Sequence, residues 1–310
     1  MRTPDQDPRV GGGVNPGDLP RPLAFVLSGG GAWGAAQVGM IRALTERGVR
    51  PDLVVGSSVG ALNGSMVAAD PERAADRLTE IWSDLGWLRL CGNGSRLRGV
   101  WNVVRTRRSL VHPSGFRAAI GAWLPVTTFA QLAVPLGVVV TDAATGRPEV
   151  VTDGALGPAL AASAAIPGVF PPVALADQLF IDGGISANLP MREAVAAGAR
   201  GLIILDAVPA APRPPIGPVT AVFNATAVSI VNQRSSELPD GPDRAEVLRL
   251  PGVTPATLSS FDYSRTEALI DVGYRSTADW LDRPEPVRTG APDRCTPGPG
   301  TRTTPDGRSS

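Results

Sequence analysis

Short, almost uninterrupted apolar runs alternate with longer segments that read as helices. Leu23-Ala-Phe-Val-Leu27 is apolar at every position, as expected of a strand covered on both faces. Glycines follow it, then a predicted helix over 34–47 that stops at Gly48 with Pro51 just beyond. Leu53-Val54-Val55 is the next strand, and residues 59–69 form a helix ended before Pro71. Further strands are predicted at 136–141, 148–152, 178–181, 202–206 and 246–250, and helices at 155–164, 190–197, 220–234 and 263–281. Strands alternating with helices in this way predict a three-layer α/β/α domain with a mostly parallel central sheet. Residues 23–282 form that domain, with 85–130 as a cap insertion. Residues 1–22 hold five prolines, and residues 283–310 lack aromatic residues, so both ends read as disordered tails. The most apolar long stretch, 155–176, is broken by Pro158, Pro167, Pro171 and Pro172, which argues against a membrane span. No apolar signal region follows Met1, so the expected location is cytoplasmic.

Composition narrows the chemistry. All 29 basic residues are arginine and balance 29 acids, so no overall charge favours a nucleic acid and none is expected as a partner. The absence of lysine removes Schiff-base chemistry and the Walker-type phosphate lysine. The single histidine, His112, and two distant cysteines, Cys91 and Cys295, offer no metal spacing and no disulfide framework. The expectation is therefore no metal and no cofactor, with catalysis left to Ser, Thr, Asp, Glu and Arg.

Three motifs use those residue types. Gly29, Gly30, Gly31 and Gly34 lie in a small-residue turn between the first strand and its helix, where backbone N–H groups and a helix N-terminus can hold an anion. The same spacing fits a dinucleotide fingerprint, but the nearest acid, Asp52, stands at the wrong end of the second strand. At the other end stands Gly56-Ser57-Ser58-Val59-Gly60, a GxSxG nucleophile elbow between strand and helix. A serine needs a base. His112 sits in a turn-like stretch before Pro113, whereas Asp182 closes an apolar strand and is followed by Gly183 and Gly184.

In this order the motifs resemble the patatin-like phospholipase family of serine lipid acyl hydrolases. Gly29–Gly34 is similar to its oxyanion loop, Gly56–Gly60 to its serine elbow, and Asp182-Gly183-Gly184 to its Asp-Gly-Gly motif. Ser163–Pro172 is similar to the stretch preceding the aspartate strand, so the likeness covers roughly residues 23–206. Trp33 stands where many members carry Arg or Lys. The resemblance implies a patatin-like fold, Ser58 as nucleophile, Asp182 as proton acceptor and the glycine-loop N–H groups as the oxyanion hole. It implies an acyl-enzyme route on an acyl lipid or phospholipid, with no cofactor. The alternatives are acyl transfer through the same site, or a lipid-binding regulatory protein without turnover.

One segment stands apart. Residues 85–141 contain seven arginines and no acid, with Arg89, Arg96, Arg98, Arg105, Arg107, Arg108 and Arg117 interleaved with Trp87, Trp101, Phe116 and Trp123. It reads either as a packed insertion with solvated arginines or, over 85–123, as a peripheral contact with anionic membrane.

Overall fold

The computed structural model describes residues 15–84, 120–208, 245–252 and 262–283. Its strands are β1 Leu23–Leu27, β2 Leu53–Ser57, β3 Leu136–Asp142, β4 Pro148–Val151, β5 Val173–Leu175, β6 Gln178–Asp182, β7 Gly201–Leu205 and β8 Glu246–Arg249. They form one sheet in the order β5-β6-β3-β2-β1-β7-β8, with β4 also paired to β3. The run from β3 to β8 is parallel, and β4, β5 and β6 join by antiparallel pairing. The helices are α1 Ala35–Glu46, α2 Val59–Ala69, α3 Ala74–Asp84, α4 Leu156–Ser163, α5 Gly184–Ala187, α6 Met191–Ala196 and α7 Thr266–Leu281.

The unbroken apolar strands are explained by burial on both faces. Leu23, Phe25, Leu27, Ile203 and Leu205 face a large core shared with α1, α2, α3, α4 and α7. Their neighbours Ala24, Val26, Leu202 and Ile204 face a smaller core with Ala187, Met191 and Ala194. Alternation of side chains across the pleat thus divides each strand between two helical layers, the predicted three-layer arrangement. Glycines let α1 and α7 cross backbone to backbone: a Cβ at Gly39 would lie 2.0 Å from the Ile270 carbonyl, and one at Gly273 2.3 Å from that of Ala36.

Three elements escaped the sequence reading, among them the four-residue α5. In α3, Ala74, Leu78 and Trp82 recur every fourth position and are buried. The three-residue β5 is too short for a pattern. Pro158, expected to interrupt its stretch, sits in the first turn of α4, where its missing N–H has no intrahelical acceptor to lose. Residues 15–22, expected to be part of a disordered tail, pack against the sheet. Asn15 caps a 3₁₀ turn, Leu19 is buried, and Arg21 and the Leu23 N–H both bond to Asp52. Asp52 therefore ties down the start of β1. Among the described residues no helix is long and apolar enough to cross a membrane.

The pairing register creates a junction at the far end of the sheet. Along one edge of β3, β4 pairs continuously with residues 138–141. On the opposite edge Val139 pairs with Ser57, the last residue of β2, and the next residue, Val140, pairs with Asp182, the last residue of β6. Because β6 runs antiparallel to β3, the C-terminal ends of β2 and β6 meet head to head there.

Candidate active site

At this junction β2 gives way abruptly to α2. Ser58 takes φ 53° and ψ −126°, a positive φ that L-residues with a side chain rarely adopt. The turn is tight enough that a Cβ on Gly56 would lie 2.5 Å from the Gly60 carbonyl oxygen, and one on Gly60 2.4 Å from that of Leu27. Such strain, typically about 1–3 kcal/mol, persists only where the surroundings hold it. Here the Ser58 N–H donates to Ser163 Oγ at 2.9 Å, and the Ser58 carbonyl accepts from the Ala61 N–H at 2.9 Å.

Asp182, 4% exposed, faces the elbow from the end of β6. Its Oδ2 accepts the Ser58 hydroxyl at 2.7 Å and its Oδ1 accepts the Gly184 N–H at 2.8 Å. Burial pushes the carboxyl up to about 6, against the opposing pull of the bonds from Ser58 and Gly184. The glycines after it are required by close approach. A Cβ on Gly183 would lie 2.2 Å from the Val139 carbonyl oxygen, and one on Gly184 2.8 Å from Asn188 Oδ1.

The glycine turn lies beside this pair. A Cβ on Gly29 would stand 3.2 Å from Ser58 Cβ and 2.5 Å from Asn188 Oδ1, and the Gly29 N–H donates to the Asn188 carbonyl at 3.1 Å. Gly29 thus serves close packing, and its N–H is engaged by the Asn188 carbonyl. Gly34 packs on the elbow helix, where a Cβ would lie 2.6 Å from Val59 Cγ2. Gly31 has φ 58°, a conformation glycine adopts without strain. Gly30 and Gly31 are half-buried, and their N–H groups make no hydrogen bond among the described residues.

The structure thus brings together Ser58, Asp182 and the Gly29–Gly34 turn. It also adds residues to which the sequence reading gave no role. Ser163 Oγ donates to the Val139 carbonyl at 2.6 Å while accepting from Ser58, and its own carbonyl accepts the Gly183 N–H at 3.1 Å. A lone hydroxyl closing the apolar run of α4 was its one visible signal. Asn188, buried between the glycine turn and Gly184, had none. Among the described residues no group of three or more His, Cys, Asp or Glu comes together to hold a metal. His112, Cys91, Cys295, the predicted helix 220–234 and all seven arginines of the basic segment lie outside the described residues. Trp123 of that segment is described, and it packs half-buried against the large core.

Known proteins are similar to this chain. Residues 25–195, more than half of the chain, match the family model described as patatin-like phospholipase. Patatin-like phospholipase domain-containing protein 7 of Mus musculus is 32% identical over 189 residues, covering 59% of this chain and 13% of the mouse protein. Lysophospholipase NTE1 of Mycosarcoma maydis is 30% identical over 196 residues, covering 59% of this chain and 10% of its own length. The chain therefore spans only a small part of these curated relatives. Among solved structures, VipD from Legionella pneumophila aligns with a TM-score of 0.45 and 18% identity over 85% of this chain and 67% of that one. Human GIVD cytosolic phospholipase A2, solved with methyl gamma-linolenyl fluorophosphonate, aligns with a TM-score of 0.41 and 12% identity over 84% and 58%. With elbow, aspartate and glycine turn all inside the matched region, the chain belongs to the patatin-like phospholipase family.

Proposed function

We propose that the protein is a serine carboxyl-ester hydrolase of acyl lipids, working through a Ser58–Asp182 dyad and an acyl-enzyme. The observation that carries this reading is the 2.7 Å hydrogen bond from Ser58 Oγ to a buried carboxylate whose proton affinity is raised to about 6. An ordinary aspartate is too weak a base to take a proton from an alcohol efficiently. Raising its affinity narrows that gap while leaving it ionised at neutral pH. Ser58 Oγ attacks the ester carbonyl carbon as its proton passes to Asp182 Oδ2. The tetrahedral oxyanion is met by the N–H groups of Gly30 and Gly31 at the entrance to α1. Collapse expels the alcohol, which takes the proton from Asp182. Water then attacks the acyl-serine, with Asp182 accepting its proton, and releases the fatty acid and the free serine. The family match and the relatives named as phospholipases support lipid esters as the substrate class. The arginine–tryptophan segment 85–123 supplies, on its composition, the contact with anionic lipid.

The test is covalent labelling with a fluorophosphonate, followed by peptide mapping. The label is expected on Ser58 alone. Ser58→Ala is expected to abolish both labelling and ester hydrolysis, while Ser57→Ala, which lacks the dyad bond, retains activity. Full hydrolysis by Ser58→Ala refutes the proposal.

A further inference from the structure

Beneath the glycine turn lies a chain of buried amides that the reaction scheme does not use. Gln37 on α1 is 0% exposed, Asn63 on α2 is 1% exposed and Trp82 on α3 is 3% exposed. Gln37 Nε2 donates to two backbone carbonyls, Ser28 and Leu205, each at 2.9 Å. Gln37 Oε1 accepts from Asn63 Nδ2 at 2.9 Å, and Asn63 Nδ2 also donates to the Gly34 carbonyl at 3.0 Å. Asn63 Oδ1 in turn accepts the Trp82 indole N–H at 3.0 Å. Both hydrogens of each amide nitrogen and each amide oxygen are used. The orientation of both amides is therefore fixed, because a flip would set oxygen against carbonyl oxygen.

The carbonyls held in this way have a meaning for the site. Ser28 precedes the glycine turn and Gly34 closes it, and Leu205 ends the neighbouring strand β7. Two side chains thus fasten both ends of the turn from below, while the N–H groups of Gly30 and Gly31 between them make no hydrogen bond among the described residues. Glycine-rich backbone has no side chains of its own to hold a conformation, and an oxyanion site works only if its donors are already aimed when charge develops.

We infer that Gln37 and Asn63 are positioning residues that preorganise the Gly30 and Gly31 N–H groups toward the oxyanion, with Trp82 fixing the orientation of Asn63. This inference rests on the hydrolase reading above and assigns a role to residues that touch no substrate. A clamp on the oxyanion turn acts on the transition state and leaves ground-state binding alone, so its loss lowers kcat with KM little changed.

The experiment compares wild type, Gln37→Met, Asn63→Leu and the milder Trp82→Phe, all assayed well below their unfolding temperatures. The substrate is a soluble short-chain ester, with two inhibitors of matched chain length. One is a trifluoromethyl ketone, whose serine adduct carries an oxyanion, and the other is the unreactive ether analogue of the substrate. For Gln37→Met and Asn63→Leu, kcat is expected to fall about 10–100-fold with KM within about twofold. Trifluoromethyl ketone affinity should weaken in proportion to kcat/KM across the whole series while ether binding holds. Trp82→Phe, which keeps an aromatic ring but removes the indole N–H, is expected to lose less and to fall on the same line. Equal weakening of ketone and ether, or unchanged ketone affinity in variants that have lost kcat, overturns the clamp. Ser58→Ala in the same series distinguishes failures: full activity there sinks the hydrolase reading itself, whatever the amide variants do.

Discussion

Replacing Asp182 by asparagine should kill the enzyme and stabilise the fold, with a pH signature that identifies the cause. Burial raises this carboxyl from 3.8 to about 6 in the folded protein, so the folded state holds the proton more tightly than the unfolded chain. A group shifted in this direction contributes its full stability below the unfolded value and loses it as pH rises through about 6. At pH 8 the native protein therefore carries an unfavourable buried charge. At 1.36 kcal/mol per pKa unit, the cost is about 3 kcal/mol. Asparagine has nearly the same shape. Its Oδ1 can still accept from Gly184, and its Nδ2 can donate to Ser58 Oγ, so little packing is lost. Urea unfolding should show Asp182→Asn more stable than wild type by about 2–3 kcal/mol at pH 8, with the gap shrinking below about 1 kcal/mol near pH 4. For a domain of this size the pH 8 difference raises Tm on the order of 5–10 °C. The same variant should lose about 10²–10⁴-fold in kcat, because an amide cannot take the serine proton. A variant less stable than wild type at pH 8, or a stability gap that ignores pH, refutes the account of Asp182 as a strained buried base.

Two further expectations follow from the same geometry. For a soluble ester, kcat/KM should climb about tenfold per pH unit below about 6 and level off above it, since Asp182 must be ionised to act; a flat profile from pH 4 to 8 would remove it as the base. Gly39→Ala places a methyl 2.0 Å from the Ile270 carbonyl oxygen, so α1 and α7 must part, and denaturant unfolding should register a loss of about 1–3 kcal/mol or more.

The parts of the fold legible in the sequence were those that local chemistry dictates. β1 and β7, buried on both faces, announced themselves as unbroken apolar runs, and the end of α1 was marked by Gly48. The Ser58 elbow was legible because its two glycines flank a serine at a strand end, one β-α unit after a second glycine turn on the same edge of the sheet. What stayed hidden depended on distant chain segments. No local pattern shows that Asn188 consumes the Gly29 N–H, or that Ser163 reaches Ser58 across 105 positions. Gln37 and Asn63 look in sequence like ordinary polar residues of helices, and only packing reveals that both are buried and fully bonded. Leu19 and Pro16 were hidden by a proline-rich context that suggested disorder, although both are buried and Leu19 lies against the start of β7.

Under the proposed dyad, the head-to-head meeting of β2 and β6 makes catalysis a readout of threading. Ser58 and Asp182 are 124 positions apart, and their contact is set by the backbone ladder of β3, on which Val139 takes one strand and Val140 the other. Side chains alternate across a sheet, so a slip of β6 by a single residue would turn Asp182 to the opposite face. Most apolar burial in the sheet comes from other strands, so a slipped molecule could keep its two cores and its helical layers while its serine stood without a base. Folding into the correct alignment and being an enzyme are then one event, whereas stability and activity are two. The fraction of chains that react with an active-site titrant therefore counts aligned molecules, a quantity that circular dichroism and melting curves on the same sample pass over.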